Sequence, residues 1–222
     1  MDRRRFLGET VTGLLGLGLL TASGCRSRQT AQVLKPGEQD MVGSHSAGGE
    51  TYKPLVGEAV AKLLGRHSRP VQASFNGEPG PMRICFVGVE NKSVEELGDF
   101  KEQIYQMIDA KLLEGGSFHA VSRRYVEAGL RETRMRPDQL MIPQNMRTFA
   151  ASMEQMGQPF DYLLYATINS GTTHSNKDYQ RDYTLTLEMI DVRTGQYDKQ
   201  QATLSKGYNV SPMAKIKNFK LF

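Results

Sequence analysis

Met82-Arg83-Ile84-Cys85-Phe86-Val87-Gly88-Val89 is apolar on both faces apart from Arg83. A run of this length and composition suits a central strand covered on both sides, as parallel sheets require. The segments around it read as helices. Leu55, Val56, Ala59, Val60, Leu63 and Leu64 mark one helical face between Pro54 and Gly65. After the strand, Ser93-Val94-Glu95-Glu96 has capping-box form. It predicts a helix carrying Leu97, Phe100, Ile104, Met107, Ile108 and Leu112, stopped at Gly115-Gly116. Phe118 to Val121 reads as a short strand. Ser122 caps a helix containing Tyr125, Val126 and Leu130, and Pro143 opens another with Met146, Phe149, Ala150 and Met153. Arg66 to Pro81 reads as a loop, from its prolines and glycines.

The last third changes period. Tyr162 to Ile168 is a strand, and Gly171 to Arg181 reads as a polar connection. Tyr183, Leu185, Leu187 and Met189 alternate with Thr184, Thr186 and Glu188, so this strand buries one face. Arg193-Thr194-Gly195-Gln196 is a turn, and Tyr197 to Lys206 returns antiparallel. The expected fold class is therefore α/β, a single mixed sheet with helices packed on it. Residues 207–222 lack clear periodicity and are unassigned.

The chain of 222 residues is 39% hydrophobic and 23% charged, a globular composition. Its net charge is +4 with no long basic run, and it has no Trp and no stacking-platform pattern, so no nucleic-acid partner is expected. No stretch of 18 or more apolar residues occurs.

The N-terminus reads as an export signal. Positive residues Arg3-Arg4-Arg5 precede a mild apolar stretch, Val11 to Leu20, and then Ala22-Ser23-Gly24-Cys25. Arg3-Arg4-x-Phe6-Leu7 resembles the twin-arginine motif, with the general secretion route as the alternative. Ala22 to Cys25 resembles a lipobox, which makes Cys25 the lipid attachment point. The expected organisation is a signal peptide at 1–24, a lipidated flexible tether at 25–52, a globular domain at 53–206 and the tail at 207–222. The tether is rich in Ser, Gly, Gln and Thr, and fully extended it would reach about 90 Å. Arg26, rather than Asp, follows the cysteine, which by resemblance favours the outer membrane in bacteria with two membranes.

No catalytic, cofactor or metal site emerges. His45, His67, His119 and His174 have no partner at metal-ligand spacing, so packed or solvated histidines are expected. Cys85 lies in an apolar run and reads as a buried, inert thiol. Glu95, Glu96, Asp99 and Glu102 read as first-turn acids that complement a helix dipole. Arg123, Arg124, Arg131, Arg134 and Arg136 form the densest basic cluster. It is either a solvated helix face or a surface toward an acidic partner or anionic cell-wall polymer. Helical spacing assigns most of Met135, Met141, Met146, Met153 and Met156 to the core.

From Pro54 to about Gly195 the pattern resembles the LpoB family. The features are Pro54-Leu55-Val56, the strand Arg83 to Val89 followed by Asn91-Lys92-Ser93, and Gly115-Gly116-Ser117-Phe118. Val121-Ser122, Pro137-Asp138, Phe160-Asp161-Tyr162-Leu163-Leu164-Tyr165 and Asp191-Val192-Arg193-Thr194-Gly195 complete it. The same layout is similar to the TolB amino-terminal domain and the curli secretion lipoprotein CsgG. The resemblance implies a non-enzymatic outer-membrane lipoprotein facing the periplasm, anchored through Cys25. It also implies a partner, a penicillin-binding protein that acts as a bifunctional peptidoglycan synthase and is activated by contact. The alternative is a CsgG-like secretion or assembly component of the envelope.

Overall fold

The apolar run Met82–Val89 is the first eight residues of strand β1 (Met82–Lys92), and it is buried on both faces. The computed structural model describes residues 47–67, 82–175 and 178–208, all within one compact unit. In chain order the elements are α1 (Gly49–His67), β1, α2 (Phe100–Glu114), β2 (Phe118–Ala120) and α3 (Arg123–Thr133). A 3-10 turn (Pro137–Met141), α4 (Pro143–Gln155), β3 (Tyr162–Ser175), β4 (Asp178–Asp191) and β5 (Tyr197–Tyr208) complete the described chain. The five strands form one sheet in the order β2-β1-β3-β4-β5. β2 and β3 run parallel to β1, β4 pairs antiparallel with β3 and β5 antiparallel with β4, so the sheet is mixed as expected.

Two cores lie on opposite faces. One packs Ile84, Phe86, Leu164, Ala166, Leu185 and Leu187 against α1 and α2. The other packs Cys85, Val87, Leu163 and Tyr165 against Val126, Leu140, Met146, Phe149 and Met153. The split follows from the two-residue period of a strand, which sends neighbours to opposite faces. Phe86 and Gly88 bracket a register shift in the pairing of β1 with β3. Gly88 has φ +154°, a conformation that side chains with a Cβ rarely adopt. Met135, Met141 and Met156 pack partly buried against the second core, so the five methionines are packing residues.

Four expectations change. First, α1 starts at Gly49, inside the span expected to be tether, and carries Pro54 within it. Thr51 and Tyr52 are buried, and the Ala47 N–H donates to Glu95 Oε2 at 2.7 Å. These tertiary contacts hold a turn that the propensity of the sequence does not announce.

Second, Ser93 does not cap a helix. The Asn91 side chain folds the segment into a turn instead: its Oδ1 accepts from the Ser93 N–H at 3.0 Å and its Nδ2 donates to Glu95 O at 2.7 Å. Glu95 is held by long-range partners, and α2 begins only at Phe100. Of the four acids read as first-turn residues, only Glu102 lies in the first turn of α2.

Third, Gly171 to Arg181 is not a connection. β3 and β4 stay paired from Gly171↔Asp182 to Ser175↔Asp178. Backbone pairing does not need apolar side chains, so a polar ribbon leaves no burial pattern to read. Fourth, Gly207 and Tyr208, placed in the unassigned tail, continue β5 and pair with Gln180 and Tyr179.

Candidate functional site

β2 is only three residues long and pairs with Met82 to Ile84, so the rest of β1 has no strand on that side among the described residues. The helix after β1 packs on one face of the sheet and the helix after β2 on the other. Adjacent strands whose helices diverge in this way leave a crevice at their carboxyl ends, the usual ligand position in open α/β sheets. Here two cavities of about 580 and 480 Å³ occupy it and share Tyr105, Arg123 and Glu127 as lining.

Side chains brace the crevice. Tyr105 Oη donates to Phe86 O at 2.9 Å, satisfying a carbonyl beyond the end of β2, and its ring stacks on Phe86 at 4.4 Å. The Arg123 guanidinium sits 4.4 Å from the Tyr105 ring centroid. It also pairs with Glu102 on α2 and with Glu127 on its own helix, the latter at 2.8 Å. Burial pushes the Tyr105 hydroxyl well above its ordinary range, so at neutral pH it is a hydrogen-bond donor rather than an acid. Burial also raises the half-buried Asp109 carboxyl, with Arg123 pulling it back. The arrangement is a groove of mixed polar and apolar lining with a clasped guanidinium, suited to holding a ligand or a partner's side chain.

The other titratable groups serve the fold. Glu95 Oε1 accepts from Arg181 and from Tyr183 Oη, which ties the β1–α2 loop to β4. Asp161 is buried; its Oδ2 accepts from the Arg83 N–H at 2.8 Å and locks the starts of β1 and β3 together. Its Oδ1 has no hydrogen-bond partner among the described residues.

His67 Nε2 lies 2.9 Å from Asp198 Oδ2, joining α1 to β5, and Arg66 reaches Asp198 Oδ1 at the same distance. Burial acts to raise Asp198, but hydrogen bonds from His67, Gln200, the Lys199 N–H and Arg66 outweigh it and hold the carboxyl below its ordinary value. His119 and His174 are exposed, and His45 lies outside the described residues. No cluster of three or more His, Cys, Asp or Glu able to hold a metal occurs among the described residues. Cys85 is fully buried, and burial pushes its thiol far above the usual range.

The basic cluster divides. Arg123 and Arg136 are paired, Arg136 with Asp138 at 3.0 Å. Arg124, Arg131 and Arg134 are exposed on or just beyond α3 and make no ion pair or side-chain hydrogen bond among the described residues. Arg134 has φ +55° at the C-cap of α3 and is the one non-glycine residue at positive φ among the described residues. Glycine is the usual residue there, because a Cβ in this conformation costs roughly 1–2 kcal/mol.

Cys25, Arg3, Arg4, Phe6 and Leu7, the residues expected to serve anchoring and export, lie outside the described residues. The clasp of Tyr105 and Arg123 has no local signature. Glu102 and Arg123 stand 21 residues apart, and only the divergence of α2 and α3 around the sheet edge brings them together. Among the described residues, no helix is long and apolar enough to cross a membrane.

Comparison with known proteins gives a family. No curated protein matches the chain. The LpoB C-terminal domain from Salmonella enterica is 14% identical, with 69% of this chain and 97% of that one covered and a TM-score of 0.47. The Escherichia coli domain is 17% identical, with coverage of 68% and 97% and a TM-score of 0.46. A lipoprotein from Neisseria meningitidis is 19% identical, with coverage of 62% and 92% and a TM-score of 0.43. The family model described as peptidoglycan-synthase activator LpoB matches residues 56–198, from the second turn of α1 to the start of β5. The chain belongs to the LpoB family of peptidoglycan-synthase activators, regulators associated with the cell envelope rather than enzymes.

Proposed function

We propose that this protein is an outer-membrane lipoprotein, anchored through acylated Cys25 and facing the periplasm. There it binds a bifunctional penicillin-binding protein and raises its glycan-polymerising and crosslinking activity. The observation that carries this reading is the family match, which runs from within α1 through β4 to the first two residues of β5. The sequence supports the anchor, with small residues Ala22-Ser23-Gly24 before Cys25 and a polar stretch after it. Acyl chains contribute about 0.8 kcal/mol per buried CH₂, so a diacylglyceryl cysteine with further acylation holds a protein firmly on a bilayer. The CsgG-like alternative, a pore-forming assembly component, is not favoured. The β3–β4 ribbon carries Thr172, Thr173, Gln180, Arg181 and Asp182, whereas a membrane-spanning hairpin needs an apolar lipid-facing side.

Two measurements test the reading. Cells fed labelled palmitate should yield a labelled protein that fractionates with the outer membrane, and Cys25→Ala should abolish both. The detergent-solubilised protein should capture a bifunctional synthase from the envelope and accelerate glycan synthesis by that purified enzyme. A native pull-down without a penicillin-binding protein, together with an unchanged rate of glycan synthesis, refutes the activator role.

A further inference from the structure

One stretch of this chain carries arginine to the exclusion of lysine. From Leu112 to Asn176 there are six arginines and no lysine, while all seven described lysines lie outside that span. Solvation alone would favour lysine, the more strongly hydrated of the two. A preference for arginine points to planar, bidentate recognition of carboxylates.

Arg124 and Arg131 are seven residues apart on α3, two helical turns, so they share one face about 10 Å apart along the axis. That face points away from the core, because Val126 and Gly129 are the buried positions. Neither arginine has a partner among the described residues, and the acids of the helix are engaged elsewhere: Glu127 with Arg123, and Glu132 accepting from Ser152 Oγ at 3.1 Å. Two placements work against the local structure. Arg124 stands in the first turn of α3, at the positive end of the helix dipole, where no acidic residue offsets it. Arg134 occupies the left-handed cap position that glycine would take at lower cost. Residues that break a local rule in this way mark function more often than structure. Tyr125 is 44% exposed beside Arg124, which adds the kind of aromatic surface that is enriched at protein interfaces.

We infer that the outer face of α3, centred on Arg124 and Arg131 and extended by Arg134 and Tyr125, is the docking surface for an acidic patch on the protein partner. The occupant is a folded protein surface rich in Asp and Glu, and complementary charge is what selects it. This rests on the proposed activator function and names the surface that performs it.

The test uses the full-length lipoprotein in detergent and a purified bifunctional synthase from the same envelope. Arg124→Glu with Arg131→Glu should weaken binding at least tenfold and lower stimulation in parallel. Arg124→Gln with Arg131→Gln should weaken it less and flatten its salt dependence. Lys53→Glu with Lys62→Glu, an equal charge change on α1, should shift binding less than twofold. Thermal melts of each variant verify folding, and the glutamine pair carries the test should the glutamate pair unfold. Wild-type binding that both arginine pairs leave intact overturns this surface while the activator reading stands. Loss of sedimentation with purified sacculi, with synthase binding unchanged, makes the face a polymer contact and also overturns it. A wild-type protein that binds no synthase removes both conclusions.

Discussion

The two halves of the sheet solve the burial problem differently. In the parallel half, β1 and the first part of β3 are sandwiched: Leu163 and Leu164 point to opposite faces, and both are fully buried. In the antiparallel half, β4 buries Tyr183, Leu185, Leu187 and Met189 on the α1 side, while on the other face Thr186 is buried but Thr184 and Glu188 stay partly open. On that open side the threonines and neighbouring polar groups pair across strands, as in Thr184 with Thr203 at 3.1 Å and Gln201 with Thr186 at 3.1 Å. The helices that build the crevice and carry the arginine face belong to the sandwiched half. The one-sided half supplies a polar ribbon and an edge strand. The candidate crevice and the proposed arginine face therefore both lie where helices diverge around a strand edge.

The comparison is sharpest at adjacent residues. Leu163→Ala and Leu164→Ala should each cost about 3–4 kcal/mol in urea unfolding, because both faces of β3 are core. On β4, Leu185→Ala should cost about 3 kcal/mol but Thr184→Ala less than about 1 kcal/mol. Equal losses at Thr184 and Leu185 would mean that the open face is covered after all.

Glu95 joins the halves, so its removal should act on both. Glu95→Ala should cost about 2–3 kcal/mol, since it removes the carboxylate that pairs with Arg181 and leaves the Ala47 N–H without its acceptor. Hydrogen exchange should then quicken at Ala47 and along Gly171 to Asp182 ahead of the core.

Two helical glycines separate packing from propensity. A Cβ at Gly129 on α3 would lie 2.7 Å from Met153 Sδ and 3.0 Å from the Phe149 ring, both within the buried second core. Gly129→Ala should therefore destabilise by about 1–2 kcal/mol. At Gly57 on α1 an added Cβ meets nothing within 4 Å, so Gly57→Ala should stabilise by about 0.5–1 kcal/mol. Thermal melts of the two variants should move in opposite directions.

The last effect concerns acid. Asp198 has a folded pKa below its unfolded value, so its stabilisation is present above the unfolded value and is lost as pH falls through the folded one. Asp198→Asn should lose about 1 kcal/mol at neutral pH and little at low pH, making acid unfolding less steep. A loss of the same size at both pH values would mean that the carboxylate contributes through shape rather than charge.

What could be read in advance follows burial. The element order, the central position of β1 and the one-sided pattern of β4 were legible because core contact writes a period into the residues. The β3–β4 ribbon was not, since its pairs are backbone bonds between polar residues. The false capping box at Ser93 shows the converse: a correct local motif lost to long-range partners when Glu95 was drawn to Arg181, Tyr183 and Ala47. Among the functional residues, the cationic character of Arg123 to Arg136 was visible, but which of them were spent on pairing was not.

By itself the sequence determined the fold class, the family and the expectation of an anchor at Cys25, because apolar period and short motifs are local quantities. Only the tertiary structure decided that Arg123 is a brace while Arg124 and Arg131 have no ion pair among the described residues. That distinction depends on Glu102 and Glu127 standing within reach of one guanidinium and not of the others. It arises where two helices diverge around a three-residue strand, and no stretch of sequence contains it.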